Sequence, residues 1–223
     1  MVRPLVLRVT RPLHARLRQG RCRRALELMQ PSETMSLLDV GGAPGVGGEF
    51  DGLRSAFGKA LVVNLDARCG GRLAQNVEFD VADGCALPYP DSSFDWVFSN
   101  AVLEHVGNRE KQNQFASEIQ RVARVGYFVS TPNRHFLVDP HTYLPFYHFL
   151  PDRLQKSVVA LSLGHMRQWE HLNLVSAATL REMFPSAEIR TAGPFRMNLI
   201  AYEHRAAEQQ QPDACAAAVT SLR

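Results

Sequence analysis

The chain has 223 residues, 45% of them hydrophobic, which is enough to bury the core of one domain of ordinary size. Its formal net charge is only +3, and much of the basic excess sits in the first two dozen residues, so composition gives little support to a nucleic-acid partner. Cys22, Cys69, Cys85 and Cys215 form no C-x-x-C pair, which excludes a disulfide framework and a cysteine zinc site as first readings and makes the reducing cytoplasm the expected compartment.

No apolar run reaches the ~20 residues of a membrane span, and Arg3, Arg8 and Arg11 interrupt any signal-peptide core. Acids are lacking until Glu27, as in an organellar transit peptide, but so are the serines of such segments. Leu5, Val9, Leu13 and Leu17 recur between arginines, and Ala25, Leu26, Leu28 and Met29 continue the pattern up to Pro31. Residues 1–30 are therefore predicted as a basic amphipathic helical segment. It can pack on the domain with its arginines in water, or it can touch an anionic surface such as a membrane or RNA.

From Met35 the pattern changes to short apolar runs that end in small polar or acidic residues. "MSLLDV", "ALVVNLD", "VEFDVAD", "FDWVFSN" and "VGYFVST" are predicted strands. Helical patterns fill the gaps: "GEFDGLRSAFG" with Phe50, Leu53 and Phe57 on one face, and "NREKQNQFASEIQRVAR" with Phe115, Ile119 and Val122 on another. An insertion at about 134–172, rich in Pro, His and aromatics, breaks this rhythm and is expected to form a lid or substrate pocket. Ser176 then caps "AATLREMF", and "AEIRTAG" and "NLIAYEHR" read as two closing strands. Residues 31–205 are expected to form the domain, and 206–223 a disordered polar tail. The fold class is α/β, a doubly wound, mostly parallel seven-stranded sheet with the insertion after strand 5. Ligands of such sheets bind beyond the carboxyl ends of the strands.

The first strand runs into a glycine cluster, "SLLDVGGAPGVGGEF", a device that lets a ligand approach backbone at a helix N-terminus. The loop has no Gly-Lys-Ser/Thr ending, which disfavours a nucleoside triphosphate, and G-x-G-x-x-G fails in every register, which makes a nicotinamide or flavin dinucleotide second choice. An acid at the strand end followed by glycines, "LLDVGGAPG" with Asp39, Gly41 and Gly45, resembles motif I of the class I S-adenosylmethionine (SAM) methyltransferases, with Ala43 in place of the middle glycine. "ALPYPDSSFDWV" is similar to a stretch of the type 11 methyltransferase domain family, and the resemblance covers roughly residues 35–133.

The resemblance implies SAM as cofactor. It gives Asp66 the ribose hydroxyls, as a carboxylate suits a diol, and puts Asp83 near the adenine amino group with Cys85 flanking the ring. It places the backbone of Ser99 and Asn100 by the methionine part. Asp95, which begins its strand, is expected to be structural. Methyl transfer from a sulfonium chiefly needs the acceptor aligned about 3 to 3.5 Å away, with a base only if the acceptor is a hydroxyl or protonated amine. His141, in the presumed lid, and then His105, in "LEH" after the fourth strand, are the candidate bases; His135 and His148 rank behind them. His141, His148, His165 and His171 lack metal-ligand spacing, so no metal is expected. Tyr143, Phe146, Tyr147 and Trp169 either line an apolar acceptor pocket or bury the insertion.

The expected activity is methyl transfer to oxygen, with nitrogen or carbon second, on a small molecule, glycan or lipid-linked acceptor. A peripheral membrane contact through the basic helix would suit a lipid-linked acceptor, and nucleic acid is disfavoured because Asn100 is not followed by Pro-Pro-Tyr. A non-catalytic SAM-binding module, an RNA methyltransferase and a nicotinamide oxidoreductase are the competing readings.

Overall fold

The computed structural model describes residues 16, 19–43, 50–70, 73–139, 141–164, 166, 168–193 and 196–205. Seven strands form one sheet: β1 Ser36–Val40, β2 Lys59–Asn64, β3 Val77–Val81, β4 Phe94–Asn100, β5 Ala123–Pro132, β6 Glu188–Ala192 and β7 Asn198–His204. Their order is β3-β2-β1-β4-β5-β7-β6, with β7 antiparallel to both of its neighbours and the remaining pairings parallel. The chain builds outward from β1 through β2 to β3, then crosses back to β4, so a crevice opens between the carboxyl ends of β1 and β4.

The parallel strands are apolar on both faces because helices cover both. On one face, α3 (Arg109–Val122) buries Phe115, Ala116, Ile119 and Val122 with Leu38, Val97, Tyr127 and Val129. Asn108 caps it by accepting from the Lys111 N–H at 3.0 Å. On the same face, α5 (Ala177–Met183) is capped by the predicted Ser176, whose Oγ accepts from the Thr179 N–H at 3.2 Å. On the other face, residues 19–29 are helical (α1) and bury Cys22, Ala25 and Met29 against Leu37, Trp96 and Phe128, beside α2 (Asp51–Ser55). The Tyr202 hydroxyl donates to the Leu28 carbonyl at 2.8 Å.

For residues 19–29 the packing reading of the amphipathic pattern therefore holds. Leu5, Val9, Leu13, Leu17 and the tail from 206 lie outside the described residues. Among the described residues no helix is long and apolar enough to cross a membrane.

The insertion carries α4 (Asp152–Val158) and a small core of its own, in which Tyr147, Val159 and Met166 are buried and Leu144, Trp169 and Leu172 pack around them. Tyr147 and Trp169 thus bury the insertion rather than serving only as a pocket wall.

Asp95 is structural, as its position at the amino end of β4 implies. Its carboxylate accepts from the Ser36 N–H at 2.8 Å and the Ser36 hydroxyl at 2.9 Å, and it also binds Arg124, tying β1 to β4. Burial pushes this carboxyl up, but Ser36 and Arg124 outweigh burial and hold it below its ordinary 3.8. A depressed folded-state value contributes stability that is present above pH 3.8 and is lost as the pH falls through the folded value. Asp95→Ala is expected to cost about 2–3 kcal/mol at pH 7 in urea unfolding, and to flatten stability against pH below about 4.

Candidate functional site

A cavity of about 270 Å³ lies at the crevice between β1 and β4. Its walls come from the carboxyl ends of three strands and the loops after them: Val40 and Gly41, then Val63, Asn64 and Leu65, then Ala82, Asp83 and Gly84. Ala101, Val102, His105 and Val106 follow β4, and Phe115 closes the floor from α3.

Gly41 makes the turn off β1. Its φ is +81°, a region costly to side-chain-bearing residues, and a Cβ here would lie 2.4 Å from the Val102 Cγ2. The Gly41 N–H donates to the Val63 carbonyl at 2.8 Å. Asn64, ending β2, fixes the turn from the other side: its Nδ2 donates to the carbonyls of Gly41 and Gly42 at 3.2 and 3.0 Å, while its Oδ1 accepts from the Asp66 N–H at 3.0 Å. The sequence signal for Asn64 is that of a polar residue ending an apolar strand opposite a glycine turn, which does not by itself separate it from an ordinary strand end. Gly45 lies outside the described residues.

Asp39 does not face the cavity. It is buried and bound to Arg54, whose Nε donates at 2.8 Å and whose second guanidinium nitrogen lies 2.6 Å from the same oxygen. Arg54 is buried as well and reaches Asp51 at 2.7 Å. Burial pushes the Asp39 carboxyl above its ordinary range, against the pull of Arg54. The motif acid is thus the anchor beneath the glycine turn, with the α2 arginine as its partner.

Asp66 is exposed just past β2. Arg68 grips it through Nε, a terminal guanidinium nitrogen and its backbone N–H, and these bonds lower its carboxyl to about 2. It stands next to Leu65 and Asn64 of the wall, so its carboxylate is charged and one residue from the cavity. Asp83 lines the cavity, and its Oδ1 accepts from the Cys85 N–H at 2.8 Å, which shapes the loop after β3. Cys85 itself is not among the lining residues. Its Sγ lies 3.4 Å from the Lys111 carbonyl, and Gly84 takes the wall position expected for it.

Ser99 is fully buried and donates to the Val40 carbonyl at 2.9 Å, holding β4 to β1 at the crevice. Asn100 Oδ1 accepts from Arg21 Nε at 3.0 Å, which ties α1 to the same edge. Ala101, with φ of +56°, is the residue at this strand end that lines the cavity.

Of the two candidate bases, His105 lines the cavity and His141 is buried beside it. The two rings meet edge to face with centroids 5.4 Å apart. His105 Nδ1 lies 2.7 Å from Glu170 Oε1, and both histidines face the wholly buried Glu104. Burial pulls the His141 imidazole down, but Asp139, Glu104 and Glu170 together hold it above its ordinary 6.5. Burial also raises the Glu104 carboxyl, against the pull of both histidines. A 3-10 turn at Leu103–His105 and the Glu104 carbonyl, which accepts from the Asn173 N–H at 2.9 Å, hold this group against the end of the insertion. Glu104 carries no local sequence signal, since nothing near it in the chain distinguishes it from a surface acid.

The residues fit SAM. A turn that favours glycine, apolar walls from the strand ends and a charged acid beside them suit an adenosine carrying an amino-acid arm, and no lysine lines the wall. Asn64, Asp66, Asp83, Gly84 and Ala101 are the residues that would hold it.

Comparison with known proteins agrees. Residues 38–130 match the family model described as a methyltransferase domain. The chain is 44% identical over 54 residues to ajmaline N-methyltransferase of Rauvolfia serpentina, covering 24% of this chain and 18% of that one. It is 34% identical over 101 residues to norajmaline N-methyltransferase of the same plant, covering 41% and 33% respectively, so it spans less than half the length of either relative. Among solved structures, magnesium protoporphyrin IX methyltransferase of Synechocystis superposes with a TM-score of 0.58 at 15% identity, over 86% of this chain and 84% of that one. The match over residues 38–130, the strand order and the cavity at the β1–β4 crevice together identify a methyltransferase domain with the class I methyltransferase fold within this chain.

Proposed function

We propose that this protein transfers a methyl group from SAM to an oxygen, or second to a nitrogen, of an apolar or lipid-linked small acceptor. SAM supplies an electrophilic methyl group when bound, which leaves the protein to align the acceptor and manage its proton. The observation that carries the reading is His105 at the cavity wall, tied to Glu170 and backed by Glu104 and His141. Such a cluster beside the cofactor cavity suits an acceptor that must be deprotonated, whereas a thiolate or enolate would need no such group.

The apolar character of the acceptor rests on the insertion. Of the eight exposed large hydrophobics among the described residues, six (Leu137, Val138, Phe146, Phe149, Leu154 and Leu161) lie within it. Their concentration marks a surface for an apolar ligand.

A panel of water-soluble and lipid-linked hydroxyl and amine acceptors, scored by S-adenosylhomocysteine release, tests the reading. Turnover with apolar acceptors supports it, and SAM binding without turnover of any acceptor would favour a non-catalytic module. The Phe146→Asp, Phe149→Asp double variant is expected to raise KM for an apolar acceptor about tenfold or more while the Kd for SAM stays within twofold, measured by steady-state kinetics and calorimetry.

A further inference from the structure

We propose that Glu104, His105 and His141 form a binding site for one divalent first-row transition cation of the zinc type at the wall of the cavity. One donor atom from each of the three residues lies within 4.8 Å of the others. The Nε2 atoms of His141 and His105 stand 3.8 and 3.9 Å from Glu104 Oε1. These separations are too long for hydrogen bonds. Donors about 2.0–2.1 Å from one tetrahedral ion lie about 3.4 Å apart, so each gap closes with a movement of about half an ångström.

Glu104 is oriented as a ligand would be. Thr131 Oγ1 donates to Oε2 at 3.0 Å, while Oε1, fully buried, has no hydrogen-bond partner and is aimed between the two imidazoles. An unsatisfied buried carboxylate oxygen is costly, and a cation there would remove the cost.

Each imidazole also has an acid on its far nitrogen. Glu170 Oε1 lies 2.7 Å from His105 Nδ1, and Asp139 Oδ2 lies 3.9 Å from His141 Nδ1. Asp139 is fixed in turn by the N–H and hydroxyl of Thr142 at 2.7 and 2.8 Å. The Glu170 carboxylate sets the His105 tautomer and aims its Nε2 at the ion, an arrangement common around metal sites, and Asp139 stands within a small movement of doing the same for His141. Two imidazoles and one carboxylate suit zinc, cobalt, iron or manganese in the divalent state, whereas magnesium and calcium prefer oxygen throughout.

Three protein ligands leave a coordination position, and because His105 lines the cavity that position opens towards it. An acceptor hydroxyl bound there gives its proton to solvent more readily, and the electron pair stays on the cation-held oxygen. The catalytic role rests on the reading of the cavity as a methyl-transfer site; the binding of the ion does not.

The test is a titration of the chelator-stripped full-length protein with Co²⁺, followed by its visible d–d absorption. One equivalent is expected to produce the bands of a low-coordinate ion, and Zn²⁺ to abolish them. Glu104→Gln, His105→Ala and His141→Ala are expected to lose the bands. Glu170→Gln, at a half-exposed position that does not threaten the fold, is expected to weaken Co²⁺ binding about tenfold and to leave SAM binding unchanged. Absence of the bands at one equivalent in the unmodified protein, or undiminished bands in both histidine variants, would overturn the proposal. A protein that binds SAM but not Co²⁺ refutes the cation site alone, and one that binds Co²⁺ but not SAM refutes the methyltransferase reading alone.

Discussion

Arg54→Ala is expected to lower the unfolding free energy by about 3–5 kcal/mol, because it leaves the Asp39 carboxylate buried without a counter-charge. Both side chains are almost sealed from water, with 5% and 2% of their surface exposed, and both guanidinium contacts fall on one Asp39 oxygen. For a chain of this size that loss corresponds to a fall in Tm of about 10 °C. The double variant Asp39→Asn, Arg54→Leu is expected to recover most of the stability, since it removes both charges together. Urea unfolding of the single and double variants reads both effects. A loss below 1 kcal/mol in Arg54→Ala would show that the pair is not the anchor described here. The consequence reaches the cavity, because a Cβ on Gly42 would lie 2.5 Å from Asp39 Oδ2, so the glycine turn rests directly on this carboxylate.

Gly41→Ala is expected to reduce SAM affinity by about a hundredfold or more while leaving most of the fold intact. Alanine at φ of +81° costs about 1–2 kcal/mol, and its methyl group would meet Val102 at 2.4 Å. Val102 is itself a wall residue and its backbone leads into the turn that presents His105, so relief of the clash must shift the wall. Val102→Ala in the Gly41→Ala background makes room for the methyl but leaves the backbone strain, so partial recovery of binding is expected. Calorimetric titration with SAM, with circular dichroism as a check on folding, separates the two contributions.

Much of the architecture was legible because the parallel strands are short, apolar and closed by Asp, Asn, Ser or Thr, while the α3 pattern repeats at helical spacing. Five of the seven strands and the Ser176 cap fall within the expected stretches, while β2 starts one residue earlier, at Lys59, and β5 runs beyond its stretch at both ends, from Ala123 to Pro132. Asp83 and Gly41 were legible as wall residues because each sits at a strand end, where such sheets bind ligands. The role of Asp39 was not, since Arg54 looks like a solvent-facing residue of a short amphipathic helix until tertiary packing buries it. Glu104 was hidden for the same reason: its neighbours His141 and Thr131 come from other parts of the chain. The placement of Cys85 is not legible in the sequence, because the Asp83 turn directs its sulfur to the start of α3 and puts Gly84 in the wall. For the aromatics of the insertion the sequence leaves a pocket and burial equally open, and Tyr147 and Trp169 supply the small core that such a segment needs.

The central claim is that the cavity at the β1–β4 crevice binds SAM through the acid beside it. Isothermal titration of the protein and of Asp66→Ala with SAM measures this directly. One site per chain is expected, with at least a tenfold weaker Kd for the variant from the loss of at least one charge-assisted hydrogen bond worth about 1.5 kcal/mol or more. Equal affinity in the two proteins, or binding of NADH in place of SAM, would contradict it.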